Sequence, residues 1–587
     1  MRNNLLFIFI WLVPFSFLKA QGVYAPGSRE YTRLLQRYEI LNGKNYNDVF
    51  TSFKPYTRKN IIEALEDDSV FTSKSDFFNK QYLLNDSHEW TEIEEESEKP
   101  FLNHFYKKKA NAFYYNEKDV FEIHADPILH LNGGFESSNT SSSDFIFSDS
   151  SDISESRNFY TNTRGVVVRG MIDKKIGFYS ALTENQMRVP GYVEQRIVED
   201  SVVPGEGFWK PFGSKGYDFF NARGYVTFNA SKHVFLQFGN DRNFIGNGHR
   251  SLILSDFSAP YLFLKVETQI WKLKYTNIFA QLTADYQRSG RLFPRKYMAF
   301  HHLSMNIGKK LNIGIFENVI YGRPDDNSLD LAYLNPIIFY RAIEQNVGSP
   351  DNATVGLDWR WMPVKKVALY GQLIFDELIV SNLRAGNGWW GNKFGIQGGV
   401  KYMNAFGIDN LDLQYEVNAV RPYTYAHVSD FTNYQHYQQP LAHPLGANFI
   451  ESIGIIRYQP IPRLNIVSKS IFYNRGRDNI VDGEVFRNYG QNIRLDYSSR
   501  IQDFGNTLGQ GFEQNVFISN LSMSYMLRHN FFIDFNYTLR TNDYQPNNLQ
   551  IPNNVDPNLN PSGTITTTSH IFQLGLRWNT DLRNFDF

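Results

Sequence analysis

LDLQYEVNA, Leu411 to Ala419, is the stretch on which the fold turns. Leu411, Leu413, Tyr415 and Val417 alternate with Asp412, Gln414, Glu416 and Asn418, so an extended chain here has one oily and one polar face. FFIDFNYTL from Phe531 repeats the pattern, with Phe531, Ile533, Phe535, Tyr537 and Leu539 on one face and Phe532, Asp534, Asn536 and Thr538 on the other, mainly polar one. Working outward, about eighteen such segments lie between Phe121 and Trp578, each near the ~10 residues that a tilted membrane strand needs. The fold class is therefore all-β: a transmembrane outer-membrane β-barrel of about 18 antiparallel strands.

Composition agrees. Phe, Tyr and Trp make up 16% of the chain, and there is no cysteine. Mean hydropathy is nevertheless negative at -0.41, because lipid-facing and lumen-facing residues cancel in the average. The missing cysteine excludes a disulfide scaffold, a thiolate metal site and a Cys nucleophile. A net charge of -1 offers no electrostatic footprint for nucleic acid, so none is expected as a partner.

The first residues, MRNNLLFIFIWLVPFSFLKAQG, combine an early Arg2, an apolar run from Leu5 to Leu18 and a small residue at Ala20. This predicts a secretory signal over 1–20 and, with the barrel pattern, a place in the cell outer membrane among its lipids. Residues 21–110 read as a small periplasmic helical segment. Tyr31, Leu34, Leu35, Tyr38 and Leu41 recur at helical spacing, with Ser28 as N-cap and Gly43 as stop. A second helix is expected from Thr57 through Leu65 and a third from Asp76 to Leu84, followed by an acidic, solvated run from Thr91. Residues 111–587 form the barrel.

The connections test this. Short links at 173–174, 231–232, 309–310, 363–365, 404–405, 460–462 and 528–530 alternate with long ones at 137–158, 188–218, 241–259, 322–352, 378–391, 420–447, 476–514 and 541–567. Bacterial barrels pair short periplasmic turns with long outer loops, so the long links belong on the cell-surface side. Between Ser255 and Gln287 the alternation fades and strand boundaries cannot be drawn. Gln573, Gly575 and Trp578 in the last strand, followed by Phe587, are similar to the ending that barrel-assembly machinery reads, though an amphipathic edge strand has the same look.

Enzymatic templates fit poorly. There is no His-Glu-x-x-His and no Gly-x-Ser-x-Gly, and the Gly207-to-Lys215 stretch misses a phosphate loop by spacing and order. His301 and His302, as strand neighbours, point to opposite faces and cannot ligate one metal together, and the same objection meets Asp376-Glu377 as an acid/base pair. No catalytic, cofactor or metal residues are assigned, and the expectation is a non-enzyme. The outer links instead collect planar and hydrogen-bonding side chains: Arg242, His249, Arg250, Arg341, Trp389, Trp390, Arg421 and Tyr423. Sugar rings stack an apolar face on aromatics and offer hydroxyls to Arg, Asn and His, so these eight are candidate glycan contacts. The same residue types would also build a polar network that folds the loops inward and plugs the barrel. Both readings stay open at this level.

IGNGHRSLILSD from Ile245, YLNPIIFYRAIEQNVGSPDN from Tyr333, LYGQLIFDEL from Leu369, GWWGNKFGIQGGVKY from Gly388 and YEVNAVRPYTYAH from Tyr415 together resemble the capsule-assembly Wzi family of outer-membrane proteins. The resemblance covers most of the chain beyond about residue 111 and is strongest to a gliding-motility member. It implies an eighteen-strand barrel with a periplasmic helical segment, surface polysaccharide (capsular or exopolysaccharide) as partner, and a link to gliding-motility machinery. It supplies no ligand residue position by position, and Gly246 and Gly248 are then expected to allow a tight luminal turn with no phosphate implied. The runner-up function is an outer-membrane diffusion channel or transporter; an outer-membrane hydrolase is a third reading.

Overall fold

In a computed structural model, residues 22–587 are described apart from 26–28, 47–48, 66–69, 92–110, 118–119, 143–152, 285–292, 324–328, 338, 347, 349–350, 482–483 and 546–563. The expected signal segment, Ser28 and the acidic run beyond Thr91 lie outside the described residues.

Eighteen antiparallel strands close into one barrel. They are β1 (Phe121–Ser142), β2 (Ile153–Ile172), β3 (Ile176–Arg188), β4 (Gly216–Asn229), β5 (Val234–Asp241), β6 (Tyr261–Ile270), β7 (Leu273–Thr283), β8 (Arg295–Ile307) and β9 (Leu311–Tyr321). They continue as β10 (Asn352–Trp361), β11 (Val367–Glu377), β12 (Lys393–Tyr402), β13 (Leu411–Val420), β14 (Phe449–Ile461), β15 (Leu464–Arg477), β16 (Phe512–Arg528), β17 (Phe531–Tyr544) and β18 (Ile565–Trp578). Each pairs with its sequence neighbours, and β18 closes on β1 from Trp578↔Leu129 to Ile565↔Ser142. Below Leu129 the edge of β1 is taken up by Phe113–Glu117, in register from Phe113↔Ala125 to Glu117↔Phe121. A second short strand, Lys210–Phe212, extends β4.

Alternation works inside out. In β13, Asp412, Gln414, Glu416 and Asn418 are buried in the lumen while Tyr415 stands exposed on the outer wall. Ile315, Ile396, Ile456, Phe472 and Leu574 are likewise exposed outward, as lipid contact requires. Turns at one mouth are short. Asp173 and Lys174 both take positive φ, the conformation of a two-residue turn whose twist matches the strands. The region where alternation fades resolves into β6 and β7, and the reason is visible: Phe263, Ile278, Ala280 and Leu282 face the lumen and are apolar there. They touch other hydrophobic residues rather than water.

The helical segment closes the mouth formed by the short turns. α1 (Arg29–Asn42), α2 (Arg58–Ala64) and α3 (Lys74–Asp86) pack around Leu34, Leu35, Tyr38, Ile61 and Leu83. Thr57 caps α2, and a Ser73–Asp76 capping box starts α3 two residues earlier than the hydrophobic spacing implies. The segment bonds to turn after turn: Asn45 N donates to the Lys309 carbonyl at 2.6 Å, the Lys366 N donates to the Ile40 carbonyl at 2.9 Å, and Asn79 and Gln459 exchange amide bonds of 2.8 and 3.0 Å. Arg360 of β10 grips Glu39 of α1 bidentately at 2.6 and 2.8 Å, and Arg37 bridges Asp76 and Asp412 at 2.5 and 2.9 Å.

Candidate functional site

The loop mouth is filled from within. After β5 the 242–260 link dives into the lumen, where Phe244–Ile245 pairs with Phe53–Lys54 of the helical segment. Gly246 takes φ +127, a conformation that L side chains rarely adopt. At Gly248 an added Cβ would lie 2.6 Å from the Glu416 carboxylate. That closeness lets the His249 and Arg250 N–H groups donate to Glu416 at 2.6 and 3.0 Å. The anion at this glycine-rich turn is thus an internal carboxylate. Leu252, Ile253 and Leu254 then enter a core with Phe263, Phe300, Ile453 and Ile518 of the barrel wall, and Tyr425, Tyr434 and Leu441 of the 421–448 link join it from above.

Three of the eight candidate contacts belong to this interior. Arg250 is buried, its guanidinium donating to Glu451 at 3.2 Å and to Asp586 at 2.8 Å. His249 meets Asp586 at 2.9 Å, and Arg242 donates to the Gly205 carbonyl and lies 3.6 Å from Glu206. All three line a cavity of about 570 Å³ between the helical segment, the 242–260 link and residues 579–587. Their placement is that of the internal network inside the lumen. Phe587 is also internal. β18 ends at Trp578, and Phe587 packs on Tyr192 and Phe257 inside the barrel instead of ending a strand.

Four others, Trp389, Trp390, Arg421 and Tyr423, come together at the loop mouth. The 378–392 link is zipped to the 478–511 link: Trp390 N donates to the Asp503 carbonyl at 2.9 Å, Gly505 N to Asn387 at 2.9 Å and Asn506 N to Gly388 at 2.9 Å. Gly388, at φ +65 and with backbone of Gly505 inside the space of a Cβ, makes that approach possible. The indoles of Trp389 and Trp390 are half-buried, 5.9 Å apart. Trp390 also faces Tyr497 at 4.9 Å, and the Arg500 guanidinium lies 4.2 Å over its ring. Arg421 donates to the Asn392 carbonyl at 2.8 Å, and burial pulls its pKa down. Tyr423 is fully buried beneath, at φ +64, donating to the Asn488 carbonyl at 2.9 Å, so it supports the cluster without facing outward. Burial, helped by Lys393, pushes His427 down to about 4, so the imidazole that bonds Thr432 is neutral at physiological pH. Tyr497 and Arg500 carry no signal in the sequence, where DYSSR has the composition of an ordinary polar loop.

Arg341 is in neither group. The described residues 329–337 and 339–346 of the link after β9 lie on the outer wall of the barrel, with Arg341 exposed beside Glu344 at 2.7 Å. His301 and His302 do point apart, His301 outward to Glu317 at 3.0 Å and His302 inward to Asp358 at 2.5 Å. One trio of metal-type donors gathers among the described residues, His88, Glu89 and His124, with donor atoms within 4.8 Å. Arg169 donates to Glu89, and His124 is engaged by Asn111 at 2.9 Å and Glu122 at 2.5 Å, so the trio is already paired internally.

A closed antiparallel barrel of eighteen strands, apolar outside and packed with polar and apolar plug inside, is an outer-membrane-type β-barrel protein. No family model and no curated protein matches the chain. Among solved structures it is similar to Wzi of Escherichia coli, described as an outer-membrane protein involved in group 1 capsule assembly and a carbohydrate-binding β-barrel, at 13% identity and a TM-score of 0.50, over 96% of this chain and 99% of that one. OccAB2 of Acinetobacter baumannii (TM-score 0.37, 7% identity, 76% of this chain and 98% of that one) and OccK2 of Pseudomonas aeruginosa in complex with glucuronate (0.34, 9%, 77% and 96%) also match. At these identities the likeness is one of fold.

Proposed function

We propose that the chain is a non-enzymatic outer-membrane barrel that attaches or organises surface polysaccharide. The observation that carries this reading is the shelf of Trp389, Trp390, Tyr497 and Arg500, with Arg421 below it, built where two loops are zipped together over a filled lumen. Half-buried aromatic faces beside guanidinium groups suit the stacking and hydrogen bonding of a sugar chain. The fold likeness to a carbohydrate-binding barrel supports the same reading. A link to gliding rests on the sequence resemblance to the gliding-motility protein RemB, and motility machinery is proposed as a partner on that ground alone. The apolar packing in the loop half of the lumen weighs against a diffusion channel.

The test is the pair Trp389→Ala and Trp390→Ala in one chain, scored for abundance, heat-modifiability, surface-polysaccharide retention and spreading. The expected result is a normally abundant, folded barrel with lost retention or spreading. Normal retention and spreading at wild-type abundance would sink the reading. Purified wild-type protein should be silent in planar bilayers; steady conductance would favour the channel.

A further inference from the structure

On β8 and β9 the outward positions run Tyr297, Ala299, His301, Leu303 and Ile315, Glu317, Val319, Tyr321. Leu303 and Ile315 are exposed as lipid contacts should be, yet Tyr297, Ala299, His301, Glu317, Val319 and Tyr321 are buried. What covers them is the described part of the link after β9, through Tyr333, Tyr340 and Ile343. Tyr333 packs on Tyr321 at 4.6 Å, and Tyr340 stacks on His301 at 4.3 Å. Glu317, a carboxylate on the lipid face, accepts the first N–H groups of a short helix, α4 (Tyr340–Asn346): Tyr340 N at 2.8 Å, Arg341 N at 2.8 Å, and His301 Nε2 lies at 3.0 Å. The base of the link is tied by Asp351, which takes Arg323 at 2.5 Å and Tyr333 Oη at 2.8 Å.

The opposite face of the same link is open, with Leu331, Ile337 and Phe339 toward its start and middle and the polar Gln345 and Asn346 at the end of α4. Leu331, Ile337 and Phe339 are 73%, 83% and 74% exposed, three large apolar side chains open together on one short segment. This face continues the belt formed by Leu303, Ile315 and Val355 on the adjacent strands. Its height fits too. Glu317 stands six residues above the start of β9, about 15 Å along the barrel axis at ~3.3 Å per residue and a tilt of ~40°, inside an apolar band about 25 Å tall. Arg341 leaves the covered face with its guanidinium exposed and paired to Glu344, so its charge is not left alone on this face.

We infer that residues 329–337 and 339–346 form a membrane-seated flap rather than a surface loop: its inner face covers the polar Glu317–His301 pair, and Leu331, Ile337 and Phe339 on its outer face are solvated by the acyl chains of the outer leaflet. The inference rests on the reading that the barrel spans a membrane, and the controls separate the two. Because the chain has no cysteine, single cysteines can be placed cleanly. Ile337→Cys and, independently, Phe339→Cys carry a bimane label in proteoliposomes of phosphatidylcholine, with Ile315→Cys as the strand control and Ser498→Cys as the loop control. Labels at 337 and 339 should be quenched by acyl-chain nitroxide lipid as strongly as at 315, and at least fivefold less by aqueous iodide than at 498. Iodide quenching at 337 and 339 equal to that at 498, with 315 still lipid-quenched, overturns the flap and leaves the barrel standing; failure at 315 overturns the membrane reading itself. Protection from both quenchers means a second copy covers the face, and also overturns the flap. Glu317→Ala should move the 337 label toward iodide while the protein stays heat-modifiable; an unmoved label refutes Glu317 as the latch.

Discussion

Arg250→Ala probes whether the luminal network holds the barrel's contents together. In the wild-type protein the guanidinium joins Glu451 of β14 to Asp586 of the 579–587 segment. Removing one partner of a buried ion pair costs about 3–5 kcal/mol when the other is stranded. Here neither acid is stranded. Glu451 keeps His443 at 2.7 Å and Asn418 at 3.0 Å, and Asp586 keeps His249 at 2.9 Å and Lys469. The expected loss is therefore at the lower end, about 3 kcal/mol, with roughly two charge-assisted bonds of ~1.5 kcal/mol each forfeited. Arg250→Lys should recover less than half, because one ammonium cannot fork to two carboxylates. The assay is urea unfolding of detergent-refolded protein followed by heat-modifiability, with tryptic cutting at Arg583 reporting release of 579–587. Burial alone would push the Asp586 carboxyl up, but Arg250, Lys469 and His249 together hold it well below the usual range. A depressed acid contributes stability above its unfolded pKa of about 3.9 and loses it as pH falls through the folded value. The penalty should thus be the same at pH 8 and pH 5 and shrink only below about pH 4. An Arg250→Ala protein within ~0.5 kcal/mol of wild type at neutral pH would refute the reasoning.

Burial pushes His436, which accepts from Thr283 N, down to about 3; its neutral form stabilises the plug fully above about pH 6.5 and loses ~1.4 kcal/mol per unit below, so the 421–448 link should become more trypsin-sensitive by pH 5, and less so in His436→Gln. Ile456→Arg sets a charge on the lipid face and should cost about 2–4 kcal/mol, seen as a lower folded fraction at intermediate urea. Gly248→Ala should cost about 1–3 kcal/mol by displacing the Glu416 carboxylate, whereas Gly398→Ala, which has open space around it, should change unfolding by less than ~0.5 kcal/mol.

The strands were legible wherever the lumen is polar, as in β13 and β17, because two solvents of opposite character imprint a period of two. They were illegible in β6 and β7, where Phe263, Ile278 and Leu282 face an apolar plug that erases the contrast. The eight candidate contacts share residue chemistry but not location, since chemistry does not record whether a loop turns in, stays at the mouth or folds over the wall. Arg250 and His249 went in, and Trp389 and Trp390 stayed. For Arg341 a signal did exist: Glu317 falls on the oily parity of β9, and a carboxylate there demands a cover. Tyr497 and Arg500 carried no such mark.

The short ladder Phe53↔Ile245 and Lys54↔Phe244, lengthened by the Gly246 N–H to the Ser52 carbonyl at 2.7 Å, has a mechanical meaning. It clasps chain arriving from one mouth to chain arriving from the other, inside the lumen. Traction on the 242–260 link is therefore shared with the helices at the far side, through hydrogen bonds that must all yield before either part slides. Cutting away residues 29–86 would not leave an empty pipe; it would strip the inner link of the partner that keeps its backbone satisfied.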